Sequence, residues 1–227
     1  MTTVTPERIT SISASSKTDV VLIAHGSPDP RHARSIQRAA RRMAIALGRT
    51  VTAAFLEHDH PRAEQVLRAG IADTAVVIPL LLTAGFHWHN DIPPLLAQNG
   101  SRIALVPPPE PVLFADAVRE VAGDGTHLVL AGAGSSRPEV VTRFSRLADR
   151  LLEQPAIASA TVALSPRDVP DVVRPHSTVV PVLTADGVIA DRIRAAAATS
   201  GARTTRVLGD TRGFADCLSR LVGELTM

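Results

Sequence analysis

This 227-residue sequence has one cysteine and no tyrosine. The lone thiol, Cys217, cannot form an internal disulfide, and without a CxxC pair there is no thiolate zinc site and no dithiol redox centre. Aromatics make up only 3%, too few for the stacking platforms that hold single-stranded nucleic acid. An excess of one charge is missing too: 24 Lys and Arg against 22 Asp and Glu leave +2. That is not the electrostatic footprint of a nucleic-acid binder. No apolar run approaches the roughly 20 residues of a membrane-spanning helix. Residues 1–18 lack the basic-then-apolar order of a secretory signal and read as a disordered tail. A cytoplasmic protein with no nucleic-acid and no membrane partner is therefore expected. There is also no GxGxxG, P-loop or GxSxG word, so no nucleotide or other organic cofactor is implied.

What is present is an ordinary globular composition, 45% hydrophobic and 20% charged, with a core built from Val, Leu, Ile and Ala. Apolar runs alternate with helical patterns. Strands are expected at VVLIAH (20–25), VTAAFLE (51–57), AVVIPLLL (75–82) and RIALV (102–106). Helices are expected at 31–47, near 61–70, after Pro93 and near 112–122. The first helix sets Ile36, Ala39, Ala40, Met43, Ala44 and Leu47 on one face. Arg34, Arg38, Arg41 and Arg42 lie on the other, which reads as a solvated face. Runs that are apolar on both sides, alternating with helices, predict an α/β fold with mainly parallel strands covered on both faces.

The pattern then repeats. HLVLAGAGSS (127–136) echoes the first strand and turn, ATVALS (160–165) echoes TAAFLE (52–57), STVVPVLTADG (177–187) echoes AVVIPLLLTAGF (75–86), and GFADCLSRLV (213–222) echoes LFADAVREVA (113–122). Two tandem-duplicated four-stranded lobes are predicted, at 19–123 and 124–227. Alignment of the repeats puts Ala133 opposite His25, Ser165 opposite Glu57, and a position near Val188 opposite His87. The polar groups are thus confined to the first lobe, which predicts one site per chain.

Open α/β sheets bind ligands beyond the carboxyl ends of their strands. His25 ends the first strand, Glu57 ends the second, and His87 follows the third in PLLLTAGFHWHNDIP. Two imidazoles and a carboxylate suit a divalent first-row metal, and the same groups accept protons near neutral pH. Each residue has a structural alternative. His25 can be a hydrogen-bonded strand-end histidine and Glu57 a solvated loop charge. Asn90 or Asp91 can cap the helix opened by Pro93. His58, His60 and His89 read as solvent-facing or supporting groups. Gly26-Ser27 is a weak signal for an anion at a helix start. A Ser27–His25 nucleophile pair is disfavoured, since no third group is present to orient the base.

LIAHGSPDPR, AFLE and PLLLTAGFHWHNDIP together resemble the class II tetrapyrrole chelatases, specifically sirohydrochlorin chelatases of the CbiX/SirB type in their long, duplicated form. The resemblance implies insertion of a divalent metal into sirohydrochlorin, iron(II) first and cobalt(II) as the alternative, towards siroheme or cobalamin. The metal is a substrate and no organic cofactor is needed. A non-catalytic metal or tetrapyrrole binder is the competing class. The family's two histidines fall on His25 and His87, the expected metal ligands, and its acidic partner falls on Glu57; which histidine is base and which is ligand stays open. Gly26, Ser27, Arg31, Arg34, Gly85, Phe86 and Asp91 are the expected substrate contacts, with Arg31, His32 and Arg34 steering the polycarboxylate ring. Pro28 departs from the family, in which Arg commonly follows the HGS word. Internal duplication makes a working monomer plausible.

Overall fold

The computed structural model describes residues 19–68, 75–82, 86–97, 103–135 and 137–225. The tail expected at 1–18 and the turn at Gly85 lie outside the described residues. The chain carries two four-stranded sheets. In the first, β1 (Asp19–Ala24), β2 (Val51–Phe55), β3 (Ala75–Pro79) and β4 (Ile103–Leu105) are ordered β2-β1-β3-β4. In the second, β5 (His127–Ala131), β6 (Ser159–Ala163), β7 (Thr178–Pro181) and β8 (Arg203–Thr204) are ordered β6-β5-β7-β8. All the pairings are parallel. No residue of Val20–Ala24 is more than 1% exposed. Successive side chains point to opposite faces, so a strand is sealed at every residue only if both faces are covered, as the unbroken apolar run requires.

Between the strands lie α1 (Pro30–Leu47), α2 (Ala63–Arg68), α3 (Phe86–Asn90), α4 (Ile92–Ala97) and α5 (Ala115–Ala122). The second half adds α6 (Pro138–Leu152), α7 (Val169–Val172), α8 (Val188–Thr199) and α9 (Arg212–Leu225). Among the described residues, no helix is long and apolar enough to cross a membrane. The third strand ends at Pro79 rather than running to Leu82. The segment after it is not only a polar turn before Pro93, because His87 and Trp88 already sit in a helical turn.

The compact units do not divide at residue 123. One holds the first sheet with the chain up to Pro28, then Ala40–Pro109 and the chain from Leu218; the other holds Asp29–Ala39 and Glu110–Cys217. Side chains explain the second grouping. Phe114 and Phe214, matching residues of the two repeats, stack with centroids 4.7 Å apart. Ser35 Oγ accepts the Asp186 amide at 3.2 Å, and Arg38 donates to Asp210 at 2.6 Å. Arg38, expected on a solvated face, is held in an ion pair while staying partly exposed.

The registers align the repeats by backbone geometry. Ile23 pairs with Ala54 and Pro79, and Ala131 pairs with Ala163 and Pro181. Two residues further on, His25 matches Ala133. Three residues past Ala54 and Ala163, Glu57 matches Pro166 and not Ser165, since the sequence echo was out of step by one. His87 is the second residue of α3, as Ile189 is of α8.

Candidate metal-handling site

The order β2-β1-β3-β4 makes the chain leave β1 towards one edge for β2 and return to the other side for β3. The loops after β1 and β3 consequently part, and a crevice opens at the carboxyl ends of these strands. His25 stands in the first loop. Beyond the end of β2, Leu56 and Glu57 continue the ladder, donating their amides to the Ala24 and His25 carbonyls at 3.0 and 2.8 Å. This extension sets Glu57 beside His25, with Oε2 3.9 Å from Nε2.

His87 is delivered by α3. Trp88 and Ile92 pack into the core beneath the first sheet, against Val21, Ile23, Val77 and their neighbours. With those two anchored inward, His87 and Asp91, one helical turn apart, share the adjoining face. The His25 and His87 rings meet edge to face, with centroids 4.2 Å apart and planes at 66°.

Hydrogen bonds decide which nitrogens are available. His25 Nδ1 lies 2.9 Å from the Gly26 carbonyl oxygen. A carbonyl can only accept, so Nδ1 carries the proton and Nε2 keeps its lone pair. His87 Nδ1 lies 2.5 Å from Asp91 Oδ2. The carboxylate accepts that proton, which in the neutral ring puts the lone pair on Nε2 of His87. Asp91, expected to touch substrate, here orients a histidine. The His25, His87 and Glu57 side chains are all partly exposed. Among the described residues, no set of three or more His, Cys, Asp or Glu side chains is already arranged to hold a metal ion.

Gly26 and Ser27 serve this geometry. Gly26 has φ +96°, and a Cβ there would lie 1.8 Å from the Glu57 carbonyl oxygen. Only glycine permits both the conformation and the approach. The Ser27 amide donates to Asp59 Oδ2 at 3.0 Å, so that donor is taken by the protein's own carboxylate rather than offered to an outside anion. His58, read from the sequence as a solvent-facing or supporting group, and Asp59, which the sequence did not single out, stand beside Glu57 and Ser27. The acidic and imidazole run EHDH was the available signal.

The expected basic contacts belong to the other compact unit. Arg31 donates to Asp29 and to Asp191, each at 2.5 Å at the closest. The Arg31 hydrogen bonds hold the Asp29 carboxyl down at about 2 and raise the guanidinium in turn. Asp191 is lowered too, first by its hydrogen bond from Arg31. Arg31 is thus bound into a partly exposed ion chain with Asp29 and Asp191. Arg34 is exposed and its Nε donates to the Pro30 carbonyl at 3.3 Å. Phe86 opens α3, and nothing further is assigned to it.

Residues 19–108, nearly the whole first repeat, match the CbiX family model. The match spans less than half of the chain, and this segment is similar to the CbiX family. Over 85 residues the chain is 28% identical to a Sulfolobus acidocaldarius protein named sirohydrochlorin cobaltochelatase, covering 36% of this chain and 68% of that relative. The sirohydrochlorin chelatase SirB of Bacillus subtilis subspecies spizizenii, solved in complex with cobalt, superposes with a TM-score of 0.74 at 22% identity, covering 93% of this chain and 96% of SirB. A solved CbiX, described as the terminal enzyme of siroheme biosynthesis in denitrifying bacteria, gives 0.69 at 20% identity, covering 91% and 98%. At these identities the solved structures establish a common fold, and the coverage takes in both sheets of the CbiX-like chain.

Proposed function

We propose that the protein is a sirohydrochlorin chelatase that inserts a divalent metal ion, iron(II) first and cobalt(II) as the alternative, into the macrocycle. The observation that carries this reading is the pair of histidines with ring centroids 4.2 Å apart, each held through Nδ1 by an oxygen acceptor, with Glu57 beside His25. The family match and the names of the relatives support the substrate. Insertion exchanges two pyrrolic protons for one metal ion. The site must therefore hold the ion by exchangeable bonds and accept protons. Two neutral imidazoles and one carboxylate leave a divalent ion with net positive charge, so it is held loosely enough to be transferred. Glu57, His25 and His87 can each take a proton.

Mixing the full chain with sirohydrochlorin and Fe²⁺ or Co²⁺ under anaerobic conditions tests the reading. The absorbance of the metallated ring should grow faster than without protein and continue through many turnovers. No acceleration with either ion overturns the proposal. Binding of the ring without release of product would mark a carrier instead. Comparison of kcat/KM for the two ions assigns the metal.

A further inference from the structure

We propose that His58 is a third imidazole ligand of this site, the one that first receives the incoming divalent cation, with Glu57 shared between it and His25. The inference rests on the chelatase reading only for where the ion goes next.

Three observations on one loop carry it. The Asp59 amide donates to the Glu57 carbonyl at 2.6 Å, closing a three-residue γ-turn with His58 at its centre at φ +59°. That conformation is rare and strained for a residue with a side chain. Its local effect is to aim two consecutive side chains at one place. His58 Nε2 lies 3.5 Å from Glu57 Oε2, the same oxygen that stands 3.9 Å from His25 Nε2. One carboxylate oxygen thus lies between two imidazoles whose ring centroids are 6.1 Å apart.

The spacing has chemical meaning. Two ligand atoms each about 2.1 Å from one first-row ion at the tetrahedral angle are about 3.4 Å apart. The His58–Glu57 separation of 3.5 Å matches that edge. Exposure sets the order of use. The His58 and Glu57 side chains are 43% and 54% exposed, against 36% for His25 and 33% for His87. A hydrated ion meets the outer pair first and exchanges water for one nitrogen and one oxygen. It then passes along the shared carboxylate to His25 and His87, with no change in its oxidation state and no covalent bond to carbon.

The test uses the full chain and Co²⁺ alone, followed by the visible absorption of the bound ion, together with insertion kinetics at varied metal and varied sirohydrochlorin. His58→Gly removes the imidazole while accepting the left-handed backbone, so the turn is retained. His58→Asn, which also tolerates that conformation, is the second variant. We expect the apparent Kd for Co²⁺ and the KM for metal to rise by about 10-fold or more, within the range seen when supporting groups of metal sites are removed. The kcat at saturating metal and the KM for sirohydrochlorin should stay unchanged. The exposed His89, changed to Ala, should leave all four quantities at wild-type values. Unaltered Co²⁺ affinity in His58→Gly, or a fall in kcat at constant metal KM, overturns the proposal. Failure of the wild-type chain to accelerate insertion would defeat the chelatase reading but leave the Co²⁺ titration as a valid test of His58.

Discussion

The turns after β2 and β6 start from the same register and end in opposite chemistry. After β6, Ser165 caps a short 3₁₀ turn through reciprocal bonds with Asp168, and its amide donates to Asp168 Oδ2 at 2.8 Å. Pro166 sits at the first helical position, where its missing N–H costs nothing. After β2, the matching residues Leu56, Glu57, His58 and Asp59 form no helix. The chain strains through the γ-turn at His58, and Asp59 spends its carboxylate on the Ser27 amide. The preceding glycines differ in the same sense. Gly26 is pressed against the Glu57 carbonyl, whereas the nearest neighbour of a Cβ at Gly134 would be 3.9 Å away. Both are left-handed, at +96° and +118°. The comparison teaches that the backbone frame is common to both turns, while of these two turns the one that gathers ionisable groups has the closer approach and the strained non-glycine residue. Strain that the relaxed copy avoids is informative about function.

The sharpest way to break this comparison is to place a methyl group on each glycine. Gly26→Ala must move the Glu57 carbonyl, so we expect a loss of about 3 kcal/mol or more in stability together with loss of insertion. Gly134→Ala meets only the cost of its dihedral angle, about 1–2 kcal/mol, with insertion retained. Chemical denaturation of both variants beside an insertion assay checks this, and equal losses would remove the distinction between the two turns.

Next come the histidines themselves. His25→Ala and His87→Ala stand at strand and helix ends, outside the fully buried core. Each should lower the insertion rate about 100-fold or more, the usual contribution of a positioned acid–base group, with the melting temperature little changed. A large fall in melting temperature would assign these residues a structural role instead. Glu57→Gln should cost less than either, because the amide keeps its shape and loses only the charge.

Asp91→Asn probes the orientation of His87. The asparagine can still pair with Nδ1 but has no carboxylate to fix the tautomer. A loss of about 10-fold in metal affinity is expected, measurable by Co²⁺ titration, and rescue by Glu would argue for charge rather than fit. The smallest effect is expected from Ala133→His. It restores the residue that the second repeat lacks, but Pro166 and Ile189 stand where Glu57 and His87 would be needed. Calorimetry should still give one metal ion per chain. A second equivalent ion would mean that the second lobe retains more of the site than its register shows.

Much of this was legible in the sequence. Strand-ending His25 and Glu57 could be placed because an apolar run of strand length has one direction and a parallel sheet puts all such ends on one edge. The repeat could be read because V-V-P and F-A-D words recur in order. The ion pairs of Arg31 and Arg38 were not legible for one reason. Spacing along a helix gives the face of a side chain but not its partner, and Asp191 and Asp210 lie far away in sequence.

By itself, then, the sequence determined the alternation of strand and helix, the doubling of the lobe and the three groups proposed to carry the chemistry. These depend on hydrophobic period and on residue type, which are local properties. Tertiary structure alone decided that Asp91 pairs with His87, that Ser27 is tied to Asp59, and that one Glu57 oxygen lies between His25 and His58. Those outcomes turn on distances of 2.5–3.9 Å between side chains. A hydrogen bond or a metal ligand is won or lost within about half an ångström, and only the packed chain sets atoms that finely.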